Sequence, residues 1–529
     1  CILSVPVSSG TRKQDLNKSP PPRCVDSVLV KASTLTMQWL GSQLPLTYMV
    51  FVVYAMILEG ACRSVAPQCT SDNAESSMNL PSLPDHDSGY RTMLQVTGPR
   101  IPWTAKVLKT LSSSGIFKET MNAMSTMDKE TPAECSQRFG AAMIHSMQNR
   151  RVQLCAAQNS GGSNVYCHER VPFDIPRYTC LLQNIAVSAA GTQVTGCTTT
   201  PDLPQTLRQG GVMENHLFGD QTSFQSLKLS DMLQCKNKVE HQVLLQLPWD
   251  PNNFYEWYGD WVTLWETMAV LEWNPDDTEV YLLGDVRGRG GKPYKRVFDE
   301  AWSRAFAVKG VRSGTFSELF GEGICFNQLA AVPHGGLSTL TFHGGRSGLN
   351  PDCPSATLQA SALYLRGLFP SSEVSTTPAS ADAKRVMLLL RRKGSHRAFA
   401  DDAEAQAAVS NVLPPGWVLE VLRPEKLSLA EQIAAAGRSQ VLVGAHGAGL
   451  TLALFLPLGA RLVEVYCDDR GDSNGHYRTL EGMAEPATGV VRGKGEGQFH
   501  FSSAKDQCKI DADLVKAAID AYNSNKLIS

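Results

Sequence analysis

The chain has 529 residues, 43% of them hydrophobic and 19% charged, with a formal net charge of -2. That length suits about two or three domains with cores of their own, and the near balance of charge gives no electrostatic basis for binding nucleic acid. Fourteen cysteines with no C-x-x-C spacing point to disulfides in an oxidising compartment and away from a zinc ribbon; for any one cysteine the alternative is a buried thiol.

Residues 1–36 are polar, with Arg12, Lys13, Lys18, Arg23 and Lys31 and the run Pro20-Pro21-Pro22, and read as a tail without a fold. Met37 to Leu58 carries no charge. As a helix it would reach roughly 33 Å, enough to cross a bilayer. Basic residues precede it and Glu59 follows, so the positive-inside rule leaves the tail in the cytosol and makes 37–58 a type II signal anchor. The alternatives are a signal peptide cut near Gly60-Ala61-Cys62 and, third, a buried core helix. The sequon Asn17-Lys18-Ser19 falls on the cytosolic side and is expected to stay unmodified. Residues 59–130, rich in Ser, Thr, Pro and Met, read as a stem.

A first α/β domain is expected over 131–375. Short strands and loops alternate to about residue 240. His241 to Leu247 is a buried strand, and Asn252 to Leu271 a helix with an apolar face at Tyr255, Tyr258, Val262, Trp265 and Ala269. Asp260 sits there among aromatic residues, where loss of water suits a carboxylate to general-base work; the alternative is a solvated helix Asp. Glu279 to Leu283 is a strand running into VRGRGGKPYKR, whose Arg287, Arg289, Lys292, Lys295 and Arg296 suit phosphates or simply a solvated loop. A helix over Phe298–Phe306 and a strand over Gly323–Val332 follow. His334 and His343 flank glycines but lack a third ligand at metal spacing. Pro370 to Ala383 is a linker.

A second domain is expected over 384–529. The strand Arg385–Leu390 runs into Arg391, Arg392 and Arg397; guanidinium forks at the C-terminal end of a strand suit a diphosphate. Trp417–Leu422 is a strand. Ser428 and Glu431 form a capping box for a helix over Leu429–Ala436. Val441 to Val443 is a strand without alternation, as in a parallel sheet covered on both faces. His446, Gly447, Ala448 and Gly449 then form a turn before a short helix over Leu450–Phe455 that Pro457 and Gly459 stop. Amides and the helix dipole at such a turn favour phosphate. The spacing is neither the dinucleotide fingerprint nor a P-loop, and a plain tight turn is the alternative. The strand Leu462–Val465 carries Glu464. Arg391, Arg392, His446 and Glu464 all fall at or near the C-terminal ends of strands, where ligands bind in such sheets. Asp511 to Asn523 is a closing helix.

HGAGLT followed by LFLPLGARLVEVY resembles the signature of glycosyltransferase family 61. NFYEWYGDWVTLW, with Asn253 and Asp260, resembles that family's Asn-x-x-His-x-x-x-Asp, with Glu256 in the place of the usual His; Arg391, Arg392 and Arg397 match its arginine motif, with Ala400-Asp401 where Asn is usual. The resemblance spans Leu244–Cys508. It implies a GT-B-like arrangement of two Rossmann-like domains with a cleft between them, and an inverting transferase using a UDP-sugar. On that footing Asp260, with Glu256 as its rival, would be the catalytic base. Arg391, Arg392 and Arg397, with Gly447, Ala448 and Gly449, would bind the diphosphate, His446 would lie beside it, and Glu464 would hold the ribose. No metal is required, Mg or Mn being optional. The expected donor is UDP-xylose, for β-1,2-xylosyl transfer to a glycan or glycoprotein, in the Golgi membrane with the body lumenal, or alternatively in the endoplasmic reticulum lumen. DWVTLWET also resembles the EGF-domain GlcNAc enzymes, so a UDP-GlcNAc-dependent protein transferase is the second expectation and an inactive glycan-binding relative the third. Cys325 with Cys353, and Cys467 with Cys508, are the disulfide pairings considered.

Overall fold

The computed structural model describes residues 112–129, 131–170, 177–188, 191–199, 225–227, 235, 237–248, 250–283, 287–288, 292–293, 298–333, 335, 338–342, 355–369, 383–390, 398–457, 459–465, 489–490 and 509–524. They fall within one compact unit, Leu94–Ser529. The expected tail, anchor and the first part of the stem lie outside them. Among the described residues no helix is long and apolar enough to cross a membrane.

Two sheets organise the chain. The first is mixed. Strands β1 (Arg151–Ala157), β2 (Asn164–Arg170), β3 (Arg177–Ser188), β4 (Gly191–Thr195), β5 (Cys197–Thr199) and β6 (Gln225–Leu227) form one side of it. The other side is β7 (Asn237–Gln246), β8 (Thr278–Leu283), β11 (Val311–Gly314) and β12 (Ile324–Val332). A separate two-stranded hairpin, β9 (Arg287–Gly288) with β10 (Lys292–Pro293), interrupts the numbering after β8. The main path runs β11-β8-β7-β12-β3-β2-β1-β5. Its first four strands are all parallel, whereas β12-β3-β2-β1-β5 is antiparallel throughout. The parallel part, counted in chain order, reads 3-2-1-4, so the strand order reverses between β7 and β12.

The second sheet is parallel throughout: β13 (Lys384–Leu389), β14 (Trp417–Leu422), β15 (Val441–Ala445), β16 (Arg461–Val465) and β17 (Gly489–Val490), in the order β14-β13-β15-β16-β17. This is a 2-1-3-4-5 order, and it reverses between β13 and β15. The sequence explains the double covering. Val441 and Val443 pack in one core with Val515 and Ile519, while Leu442 between them packs in another with Leu429 and Ile433. Successive side chains on a strand point to opposite faces, so a sheet covered twice needs an unbroken apolar run.

Eleven α-helices of the described residues surround the sheets: α1 (Ser113–Asp128), α2 (Ala133–Phe139), α3 (Ala141–Asn149), α4 (Phe254–Leu271), α5 (Asp299–Ala305), α6 (Phe316–Phe320), α7 (Thr339–Phe342), α8 (Ala356–Gly367), α9 (Asp402–Ser410), α10 (Leu429–Gly437) and α11 (Ala512–Ser524). The expected capping box of α10 is present, Ser428 and Glu431 each bonding the other's backbone. Two differences from the sequence reading matter. Residues 113–128, read as stem, form α1, whose Ile116, Phe117 and Met124 enter the main core; their spacing is helical. And α4 is buried almost all round, from Phe254 to Val270 with Glu256 the one exception, because both the first sheet and the second sheet's 3-10 helix press on it.

The disulfides correct one pairing. Cys325 bonds Cys235, 90 residues away, and not Cys353. The cause is register: Cys325 lies opposite Lys238 in the β12–β7 ladder, next to the chain that enters β7. Cys155–Cys197 and Cys167–Cys180 are the other described bridges; Cys353, Cys467 and Cys508 lie outside the described residues. Replacing Cys235 and Cys325 together by Ser is expected to remove roughly 4 kcal/mol, the scale of a long loop released in the unfolded chain. Urea unfolding of the double variant under oxidising conditions checks this; an unchanged midpoint contradicts it.

Candidate functional site

Both reversal points gather chemistry, and ligands of open α/β sheets bind at such points outside the C-terminal strand ends. In the second sheet β13 closes at Leu389, and the Leu390 amide still donates to Leu422 O at 2.9 Å. Arg391, Arg392 and Arg397 come next in sequence and lie outside the described residues. Across the reversal β15 ends at Ala445. The His446 amide extends the ladder to Val465 O at 2.7 Å. Gly447 then takes φ +155°, ψ 171°, a region open to glycine alone at acceptable cost. This bend starts the helix Ala448–Phe455, which is 3-10 and not α, so the amides of Ala448 and Gly449 have no acceptor within it.

His446 is 5% and Glu464 6% exposed. Glu464 lies opposite Gly444 in the β16–β15 register, so it shares a face with His446 two residues on. His446 Nδ1 meets Glu464 Oε1 at 2.5 Å. The structure thus brings His446, Gly447, Ala448, Gly449 and Glu464 to one strand edge, and gives Glu464 a partner inside the protein.

The first sheet's reversal point holds a second cluster. Gln246 ends β7 and stands opposite Val332, the last residue of β12. The chain then turns through Pro333 and Gly335 against α4. Asp260, 0% exposed, accepts the Gly335 amide at 2.6 Å and Gln246 Nε2 at 3.4 Å through Oδ1; Gln246 Nε2 also donates to Pro333 O at 3.1 Å. Thr339 bonds Glu266, and Tyr255 OH donates to Leu340 O at 3.0 Å. Four side chains of β7 and α4 therefore clasp Pro333, Gly335, Thr339 and Leu340. Gln246 Oε1 is buried and has no hydrogen-bond partner among the described residues. Glu256 lies one turn before Asp260 and is half-buried. Its helix is capped by Asn253, whose side chain accepts the Tyr255 amide at 3.1 Å. Gln246 and Glu266 escaped the sequence reading, and Tyr255 was read only as part of an apolar face. A polar residue closing the apolar run VLLQ was the one available signal.

α4 joins the two clusters. Phe455, at the end of the 3-10 helix, stacks on Phe254 at 6.4 Å and meets Tyr258 edge-on at 6.0 Å. Tyr258 OH pairs with Ser361 Oγ at 3.0 Å, and burial drives its phenol pKa far up, so it stays a neutral hydroxyl. One hydrophobic core runs from Leu442 and Leu450 through this helix to Leu244 and Ala330 of the first sheet. Other expected sites gain less. Arg287 and Lys292 lie in the β9–β10 hairpin beyond the C-terminal end of β8, while Arg289, Lys295, Arg296, His334 and His343 lie outside the described residues. Among the described residues no three His, Cys, Asp or Glu side chains are grouped to hold a metal ion.

Residues 293–463 match the family model described as Glycosyltransferase 61. This supports the family assignment read from the glycine turn. The matched stretch includes β12, β13, the arginine segment and the glycine turn; α4 precedes it and Glu464 follows it directly. No curated protein matches the chain.

Proposed function

We propose, from the premise that this chain carries a glycosyltransferase family 61 segment, that it is an inverting glycosyltransferase of GT-B type that takes a UDP-sugar. The observation that carries the reading is the glycine turn: a bend at Gly447 that opens a 3-10 helix, at the reversal point of a fully parallel sheet, inside the matched segment. The nucleotide's diphosphate lies across that edge. Arg391, Arg392 and Arg397 and the amides of Gly447 to Gly449 take up the charge that grows as UDP leaves. Arginines in that role would make a divalent ion dispensable, with Mg or Mn an optional aid.

The acceptor hydroxyl attacks the anomeric carbon from the side of the first sheet, and a carboxylate on α4 takes its proton. Asp260 and Glu256 are the two candidates. Asp260 is fully enclosed and already serves Gly335 and Gln246. That favours Glu256 as the base and Asp260 as the residue that sets the turn beside it. UDP-xylose transfer to a glycan of the secretory pathway is the preferred substrate reading, with the body in the Golgi lumen; three described disulfides accord with an oxidising compartment.

The test is turnover by the purified full chain over a panel of UDP-sugars with a glycan and glycopeptide acceptor array. UDP-xylose consumption tied to product supports the reading. UDP-GlcNAc transfer to protein replaces it with the second expectation, and UDP binding without transfer marks an inactive relative. Arg392→Ala is expected to lower kcat/KM roughly 10²–10³-fold, as for loss of one charge-stabilising donor. Unchanged turnover removes the arginines from the site.

A further inference from the structure

We infer that Glu464 is a positioning residue that acts through His446, not a ligand of the nucleotide's ribose; this rests on the function proposed above. The two side chains share the face of the second sheet that carries the 3-10 helix, because Leu442, Gly444 and His446 alternate onto it along β15 and Leu462 and Glu464 along β16. The Glu464 side chain is 1% and the His446 side chain 6% exposed. A carboxylate withdrawn from water to that degree requires a hydrogen-bonding partner, and the 2.5 Å contact with Nδ1 supplies it.

The consequence lies on the ring's other side. With a carboxylate as its neighbour, Nδ1 carries its proton in both the neutral and the charged ring. The tautomer and the ring rotation are thereby set, and Nε2 is the nitrogen turned away from Glu464. His446 stands where β15 ends and the backbone bends at Gly447, and in this inference its Nε2 turns toward the proposed diphosphate. A fixed Nε2 contacts a phosphate oxygen without having to reorganise as charge develops, which is the condition for electrostatic stabilisation to count. Carboxylates behind functional histidines act in this way in metal sites and in catalytic triads.

The test is a double-mutant cycle in the full chain with Glu464→Gln, His446→Asn and both together, read by UDP affinity in calorimetry, by sugar-transfer kinetics and by imidazole ¹⁵N shifts. Glu464→Gln is expected to lower kcat on the order of 10–100-fold with a smaller change in KM for the donor. The double variant is expected to be no worse than His446→Asn alone, since both changes break one unit. Glu464→Asp is expected to recover part of the loss. Additive losses, or Glu464→Gln at wild-type turnover, overturn the inference. If the wild type neither binds UDP nor transfers sugar, the function proposal falls instead, and the ¹⁵N shifts still decide this one. A ring protonated at Nδ1 in the wild type and altered in Glu464→Gln supports it; an unaltered ring refutes it.

Discussion

Glu256→Gln is expected to lower kcat roughly 10²–10⁴-fold, the usual contribution of a positioned general base, with KM values little changed. Glutamine keeps the size and a hydrogen-bonding oxygen but cannot take a proton. The choice of Glu256 over Asp260 comes from what surrounds each. Asp260 has an oxygen 2.6 Å from the Gly335 amide and no exposed surface, whereas Glu256, although its Oε2 is buried, is as a residue only half-buried in the first turn of α4, just past the C-terminal edge of the first sheet. Glu256→His, which restores the residue usual in the family that the sequence resembles, is expected to retain much of the activity, because imidazole also accepts a proton. Asp260→Asn is expected to lower the melting temperature together with the activity, since the Gly335 amide exchanges a charged acceptor for a neutral one. The assignment reverses if Glu256→Gln turns over normally while Asp260→Asn is folded, with an unchanged melting temperature, and inactive.

Gly335→Val is expected to be the most damaging single change to stability, costing more than about 3 kcal/mol. A Cβ at this position would stand 2.4 Å from the Asp260 amide nitrogen, 2.6 Å from Asp260 Oδ1 and 2.8 Å from Glu256 O. Two of these atoms are backbone of a helix buried almost all round, so neither side can yield cheaply. The opposing residue, Gly259, is confined as well, since a Cβ there would stand 2.8 Å from Gly335 O: the turn and the helix meet backbone to backbone. Gly449→Ala is the control, because its Cβ would make only an ordinary 3.5 Å contact with Leu389, and its melting temperature is expected to stay within a few degrees of wild type. Thermal unfolding of both variants checks the pair. A Gly335→Val protein as stable as wild type would mean that the clasp on Pro333, Gly335, Thr339 and Leu340 is loose.

Much of the second sheet was legible in the chain. The strand expected over Trp417–Leu422 is β14 to the residue; that expected at Arg385–Leu390 is shifted by one residue at both ends, and that expected at Leu462–Val465 starts one residue late. These elements carry their information locally, in apolar runs, a capping box and glycine or proline stops. The short helix after the glycine turn was legible as a helix but not as 3-10. The amphipathic reading of α4 named one apolar face, and the fold covers the others too. The face holding Gly259 and Asp260 owes its burial to a turn about 75 residues later, which no window of sequence around α4 contains.

By itself the sequence determined where strands and helices lie in the second sheet, that both faces of that sheet are covered, and that a glycine turn follows a buried strand. The tertiary structure alone decided the order of the strands, and with it the two reversal points. It also decided that Gln246, Asp260 and Gly335 form one clasp, that Cys325 takes Cys235, and that Glu464 turns to His446. The physical reason is one of range: hydrophobic periodicity and caps act within a few residues, whereas each of these pairings depends on the register between strands or helices far apart in the chain, and a shift of one residue would turn every side chain concerned to the other face.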